Sequence, residues 1–243
     1  MVDVVIDDLP GFRRRFRIVP QADRVSCEVE DDFHCMVVVV HHDGETANKI
    51  EPKMRRAPWT TCPGAEKQLQ ETFVNQQLAD FPARGGKKAN CTHLYDLAML
   101  AASHATDEGV IIYDILVSDP VDGIRYCELR SAGECLMKWA ETGFLVSAPK
   151  ELAGMNLTGD LSPWIGTMSA ASQEAARLLR WANMIANGRQ IPLENQSDAT
   201  QMPPNCYTFQ PDKAVLAQRV GGIRDFSGGS TEPLSSYELP LQT

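Results

Sequence analysis

Two segments of the sequence place a reactive side chain at the start of a predicted helix. In the first, residues 57–69 (APWTTCPGAEKQL), Cys62 directly precedes Pro63. Proline suits a first helical turn because the N–H that it lacks would be unpaired there. The positive end of a helix dipole lowers the pKa of a nearby thiol, so Cys62 is expected to be a reactive thiol or an anion-binding residue. The alternative is a small buried residue that closes a tight turn.

The second segment, residues 90–105 (NCTHLYDLAMLAASHA), repeats this arrangement with a histidine. Asn90 is predicted as the N-cap, which puts Cys91 in the first turn and His93 at the third helical position. A helix N-terminus disfavours the imidazolium cation, so His93 is expected to be neutral and to act as a base or a hydrogen-bond donor. Asp96, three residues further on, is close enough along the helix to orient the ring. The alternative is a structural histidine.

A predicted β-hairpin brings further polar residues toward these helix starts. A turn centred on Asp43-Gly44 would place His34 opposite Lys53, a few residues from Arg56 and Cys62. We therefore expect His34, Arg56 and Cys62 to meet at one end of the hairpin, with the start of the second helix as the next neighbour.

Metal and cofactor sites are not predicted. Four side chains are competent zinc ligands, but the sequence has no H-E-x-x-H motif, no paired cysteines and no acidic ligand spacing. It also lacks the glycine-rich nucleotide motifs and the G-x-S-x-G motif of serine hydrolases. The competent ligands are His34, Cys62, Cys91 and His93.

The order of predicted elements favours an α+β fold in which helices pack against one face of an antiparallel sheet. Residues 1–195 are interpreted as a single catalytic or binding domain. Residues 196–243, rich in Pro, Ser, Gly, Asn and Gln, are interpreted as an extended C-terminal arm or tail. The predicted strands are 25–31, 34–42, 47–54, 109–118, 124–131 and 134–149, and the predicted helices are 64–81, 94–105 and 169–188.

Composition limits the classes of partner. The 243 residues are 43% hydrophobic and carry a formal charge of -9, which disfavours nucleic acid and anionic membranes as partners. The seven cysteines include no C-x-x-C pair, the N-terminus lacks the pattern of a signal peptide, and no run reaches transmembrane length. We expect a reduced, cytoplasmic protein with a small-molecule ligand, and leave a homo-oligomer open.

Three motifs resemble those of a bacterial family, domain of unknown function 2889. They are Asp31-Asp32-Phe33-His34 at the entry to the first long strand, Arg56-x-Pro58-x-x-x-Cys62, and Cys91-Thr92-His93-Leu94. The resemblance covers roughly residues 10 to 190 and implies no established activity by itself. It does place the family's polar signatures at the positions reached above from helix starts and hairpin geometry.

Some sequences that resemble this chain are associated with bacterial degradation of lignin-derived aromatics, through a phenylcoumaran γ-formaldehyde lyase. This implies a cofactor-independent carbon–carbon lyase with His93, oriented by Asp96, as the base. Arg56 or the helix N-termini would hold the developing oxyanion, and aromatic side chains would line the substrate pocket unless they serve only core packing. The candidate catalytic residues are His34, Arg56, Cys62, His93 and Asp96, and the candidate substrate-binding residues are Trp59, Cys91, Tyr95 and Trp164.

Two other functions fit the same residues. Cys62 with His93 could form a thiol-dependent hydrolase of acyl esters, or a metal could assist that hydrolysis. Alternatively, the chain could be a binding protein for an aromatic ligand.

Overall fold

The computed structural model describes residues 4–192 and 197–237. Within these residues the strands are β1 Gly11–Gln21, β2 Arg24–Asp31, β3 Cys35–His42, β4 Thr46–Arg56, β5 Gln76–Gln77, β6 Ile111–Ser118, β7 Arg125–Ser131, β8 Glu134–Thr142 and β9 Leu145–Ala148. The α-helices are α1 Ala65–Phe73, α2 Thr92–Ser103, α3 Ser162–Ile165, α4 Ala170–Ala186 and α5 Pro211–Ala214. Antiparallel strands and separate helices make this an α+β fold, as predicted.

The chain divides into two compact units. Unit 1 consists of Met1–Arg15, Tyr113–Pro192 and Asp225–Pro233, and unit 2 consists of Phe16–Ile112, Leu193–Arg224 and Leu234–Thr243. This division differs from a single domain at 1–195 followed by an arm, because the region after residue 195 contributes to both units. Strand β1 supplies residues to each.

Unit 2 contains the hairpin and both helices that carry candidate site residues. Its strands follow the order β5-β4-β3-β2-β1. The run Met36–Val40 in β3 lacks polar alternation because β3 lies between β2 and β4 and most of its side chains are buried. This apolar run thus corresponds to a strand that has a neighbour on each side in the sheet. Helix α1 packs on β4, and α2 packs on β2 and β3.

The register of the β3–β4 hairpin differs from the prediction. Lys53 pairs with Val37, and Cys35 pairs with Arg56, with β-bulges near both ends of the ladder. The connection from His42 to Thr46 has three residues rather than two, and the Asp43 carboxylate stabilises it by accepting the N–H groups of Glu45 and Thr46. The shift places Arg56 directly beside the loop that precedes β3.

The helix predicted at 64–81 is shorter than expected. Helix α1 ends at Phe73, and Asn75 adopts a left-handed conformation with φ 60° that cannot continue an α-helix. The chain then forms the short strand β5 and a 3-10 turn at Leu78–Ala83.

Unit 1 contains β6 from Tyr113 onward, strands β7 to β9, and helix α4, which packs on β7 and β8. The segment predicted as one strand, 134–149, is a hairpin, because Gly143 and Phe144 both have positive φ and reverse the chain. Helix α4 begins as predicted after Ser169, whose hydroxyl accepts the N–H of Ser172. Across residues 4–192 and 197–237, no helix combines the length and apolar character needed to cross a membrane.

Candidate functional site

Two imidazoles and a carboxylate converge in unit 2. Asp31, His34 and His93 each offer one side-chain nitrogen or oxygen, and these three atoms all lie within 4.8 Å of one another. Asp31 is 0%, His34 8% and His93 5% exposed, so the cluster is shielded from bulk water. We call these three residues the Asp31–His34–His93 cluster.

The loop between β2 and β3 positions two members of the cluster. One carboxylate oxygen of Asp31 accepts the backbone N–H groups of Phe33 and His34, each at 2.8 Å. The same oxygen lies 3.1 Å from His34 Nδ1. An ionised carboxylate only accepts hydrogen bonds, so this contact favours the proton on Nδ1 and leaves Nε2 of a neutral ring as the basic atom.

His93 reaches the cluster from the start of helix α2. Its ring stacks on His34 with the ring centroids 3.8 Å apart and an interplanar angle of 30°. His93 is the second helical residue rather than the third, because Cys91 is the N-cap. Asn90 is not the cap as predicted; its amide side chain instead hydrogen-bonds Thr72 Oγ1 and the Gly86 carbonyl.

The carboxylate in the cluster is Asp31, not the residue chosen from the sequence. Both carboxylate oxygens of Asp96 lie 2.6 Å from Lys87 Nζ, in a more exposed ion pair. Sequence reasoning selected Asp96 by helical spacing alone. The sequence signal for Asp31 was its position three residues before His34, in the turn that joins β2 to β3.

Arg56 holds the backbone of the loop that carries Asp31 and His34. Its guanidinium donates to the carbonyls of Asp31, Asp32 and His34, with 2.9 Å to Asp32 and 3.1 Å to His34. The predicted proximity of Arg56 to His34 is thus confirmed. In this structure the arginine positions the loop; its role in stabilising an oxyanion stays a prediction.

A second buried carboxylate, that of Glu30, forms an ion pair with Arg56. Glu30 is 1% exposed and lies 3.2 Å from both Arg56 and Arg224, and it accepts the Leu234 N–H at 2.7 Å. Glu30 therefore joins Arg56 to a distant part of the chain that includes Arg224 and Leu234. We call the β2–β3 connection around residues 31–34 the site loop, and Glu30 supports it through Arg56.

Cys62 lies in unit 2 but does not have the character predicted for it. It is buried at the start of a 3-10 turn, Cys62–Gly64, and Thr208 donates a hydrogen bond to its sulfur at 3.3 Å. Burial raises the pKa of the Cys62 thiol, so the expected lowering is wrong. The physical reason is that desolvation of the thiolate outweighs the dipole of α1, which begins only at Ala65. Burial raises the pKa of Cys91 as well.

Alkylation should separate the cysteines by exposure. Cys62 is buried and its pKa is raised, whereas Cys135 is exposed. We therefore expect iodoacetamide near pH 7 to modify Cys135 first and to leave the thiol of Cys62 unmodified in the folded protein. Modification of Cys62 should accelerate only as the pH rises above the ordinary thiol range, where its thiolate begins to form. Peptide mass spectrometry against pH measures this order. Rapid labelling of Cys62 at neutral pH would contradict it.

The aromatic candidates lie in different places. Trp59 and Tyr95 are both buried in unit 2; Trp59 packs edge-to-face on Phe209, and the Tyr95 hydroxyl donates to the Gly85 carbonyl at 3.1 Å. Trp164 belongs to unit 1, in helix α3. For Trp59 and Tyr95, these contacts correspond to the core-packing alternative.

A cavity of about 250 Å³ lies beside the site loop in unit 2. Phe33, from the middle of that loop, and Arg56 form part of its wall. The cavity is therefore adjacent to the residues that position Asp31 and His34. Sequence reasoning missed its other wall, which comes from residues near 220.

Comparisons with known proteins leave the family open. No protein-family model matches the chain. Comparison with curated proteins yields no significant match either. The resemblance to domain of unknown function 2889 therefore stays a prediction that rests on its three motifs.

Proposed function

We propose that this protein is a carbon–carbon lyase of the aldehyde-lyase type, in which the Asp31–His34–His93 cluster provides general acid–base catalysis. The single observation that carries the proposal is the convergence of two buried imidazoles and a carboxylate within 4.8 Å. Buried imidazoles beside a carboxylate can take up and return a proton near neutral pH, which is what such a cleavage requires.

The reaction is a retro-aldol-like cleavage of a primary alcohol. An imidazole of His34 or His93 takes the hydroxyl proton, and the oxygen electron pair forms the carbonyl bond of formaldehyde. The electron pair of the broken carbon–carbon bond passes to the phenolic part of the substrate, which receives the proton back. Together the two products have the composition of the substrate, so the reaction needs no oxidant or reductant.

The substrate class follows from the resemblance and from the cavity. The resemblance implies a lignin-derived aromatic dimer alcohol such as a phenylcoumaran. The cavity is lined by Phe33, the residue before His34 in the chain, and its wall combines apolar residues with arginines. An aromatic ring bound in this cavity would contact Phe33, whose ring centroid lies 6.1 Å from that of His34.

A second candidate, metal-assisted hydrolysis of an acyl ester, is favoured by the same 4.8 Å convergence. One carboxylate and two imidazoles would be suitable ligands for a divalent transition metal, which would polarise the ester carbonyl. The thiol-dependent version of this hydrolase is disfavoured because Cys62 is buried and its pKa is raised.

The test is formaldehyde release from a panel of phenylcoumarans and related diaryl alcohols, with and without a chelator. We expect one equivalent of formaldehyde for each substrate consumed, at a rate that chelation leaves unchanged. If chelation abolished formaldehyde release and added metal restored it, the result would favour a metal centre over metal-free acid–base catalysis. Absence of formaldehyde from the whole panel, together with hydrolysis of aryl esters, would favour the second candidate. Ligand binding without turnover would identify a binding protein.

A further inference from the structure

The cavity beside the site loop has a strongly basic wall. Three arginines, Arg55, Arg56 and Arg219, line it together with Gly221 and Gly222, and none of its nine lining residues is acidic. The whole chain carries a formal charge of -9, so this concentration of cations is a local exception. A cavity with this lining favours an anionic occupant.

Two of the three arginines already have carboxylate partners. Arg55 lies 2.8 Å from Glu28, and Arg56 lies 3.2 Å from Glu30. Burial acts to lower the pKa of Arg55, but the hydrogen bond and charge of Glu28 outweigh it and the pKa is raised. Each of these two guanidiniums therefore has a carboxylate partner, although Glu28 also pairs with Arg17 and Glu30 also pairs with Arg224.

Arg219 differs from both. Within the described part of the chain, no carboxylate lies within ion-pair distance of its guanidinium, and its buried Nε has no hydrogen-bond acceptor. Its guanidinium carbon lies 5.5 Å from the ring centroid of Trp59, and burial lowers its pKa. A buried donor without an acceptor costs free energy that an incoming acceptor would recover. Among the three arginines that line the cavity, Arg219 is therefore the one without a carboxylate at ion-pair distance in the described part of the chain.

The glycine pair supplies backbone donors at the same wall. Neither the Gly221 nor the Gly222 amide donates to another described residue, and Gly221 has φ 69°, which favours glycine. Both ends of this segment are fixed. Val220 N–H donates to the Pro58 carbonyl and Arg224 N–H donates to the Asp32 carbonyl, each at 2.9 Å. Through Asp32, the segment is thus hydrogen-bonded to the turn between Asp31 and His34.

We propose that this cavity binds the carboxylate of an aromatic acid, and that the acid is the substrate of the adjacent cluster. The second part rests on the proposed function. A single arginine without a counter-ion matches a singly charged, planar carboxylate better than a phosphate dianion, because the flat guanidinium fork pairs with a carboxylate through two parallel hydrogen bonds.

The cavity is large enough for a carboxylate together with an aromatic ring. Its volume of about 250 Å³ exceeds by several times the roughly 30 Å³ that one water occupies in the liquid. Phe33, Pro58 and Val220 give the remaining wall an apolar character suited to an aromatic ring. The substrate class thus narrows to aromatic alcohols that also carry a carboxylate.

The test is equilibrium binding of benzoate to the full chain, measured by isothermal titration calorimetry. We expect benzoate to bind the wild type, and Arg219→Gln to weaken that binding about tenfold or more, since a charge-assisted hydrogen-bond pair is lost. Arg24→Gln, an arginine of the same unit at the start of β2, is the matched control and should bind as the wild type does. Arg219→Lys keeps the charge and should give an intermediate loss.

Neutral benzyl alcohol and inorganic phosphate are the comparison ligands. Both are expected to bind at least tenfold more weakly than benzoate. Equal affinity of the wild type and Arg219→Gln for benzoate, or tighter binding of either comparison ligand, would overturn the proposal. Because this binding needs no turnover, it is measured independently of formaldehyde release. Benzoate binding that depends on Arg219, together with no formaldehyde from any substrate, would contradict the proposed chemistry but not the anion site.

Discussion

Replacing His93 with glutamine is expected to lower the rate of formaldehyde release by about 10² to 10⁴-fold, the usual contribution of a general acid–base group. Glutamine approximates the size of the imidazole and can hydrogen-bond, but it cannot take up a proton near neutral pH. His93 is 5% exposed and stacks on His34, so the substitution removes a buried ring of the cluster. The loss should fall on kcat, with little change in KM, because the substituted group acts on the reacting proton.

The matched control for this prediction is His41→Gln. His41 lies on β3 in the same unit, and its Nε2 contacts the Glu51 carboxylate at 2.9 Å, away from the residues of the cluster. We expect wild-type turnover for this variant. Thermal unfolding checks that both variants remain folded. A folded His93→Gln protein with full activity would contradict the assignment of His93 to the chemistry.

Replacing Glu30 with glutamine is expected to lower the free energy of unfolding by about 3 kcal/mol. The buried carboxylate lies 3.2 Å from Arg56 and from Arg224. The substitution removes the negative charge that both arginines contact. Because both arginine side chains are partly exposed, water compensates some of the loss, so we expect the lower end of the range for broken buried ion pairs. Urea unfolding followed by circular dichroism measures the effect.

Glu51→Gln provides the comparison for Glu30. Glu51 is 44% exposed on β4 and pairs with Lys49 and His41 at the surface. Its loss should cost less than about 1 kcal/mol, as is usual for exposed ion pairs. If the two substitutions lower the free energy of unfolding equally, the ion pairs of Glu30 with Arg56 and Arg224 do not stabilise the site loop.

The antiparallel sheet could be predicted because its signals are local. The acidic turn between β2 and β3 and the apolar run of β3 are visible in the sequence. The exact pairing of β3 with β4 was not, since two bulges and a longer connection shift the register. That shift brings Arg56 opposite Cys35, and so beside the loop that carries His34.

The site was only partly predictable for a similar reason. His34 and His93 were found from the start of a strand and the start of a helix. Asp96 was predicted to orient His93 from helical spacing, whereas the contact of Asp31 with His34 depends on the conformation of a turn, which that spacing does not indicate. The pKa of Cys62 depends on burial, which no short motif reveals. Arg219 reaches the cavity from a segment more than 150 residues away from Arg56, and that juxtaposition exists only in the folded chain.

The most direct test of the central claim follows the carbon atom that leaves the substrate. A phenylcoumaran labelled with carbon-13 at its primary alcohol carbon would be incubated with the wild type, His41→Gln and His93→Gln, and the label followed by NMR. We predict that the label appears in formaldehyde, at equal rates for the wild type and His41→Gln, and is nearly absent for His93→Gln. Retention of the label in the aromatic product, or release by His93→Gln at the wild-type rate, would contradict carbon–carbon cleavage at the Asp31–His34–His93 cluster.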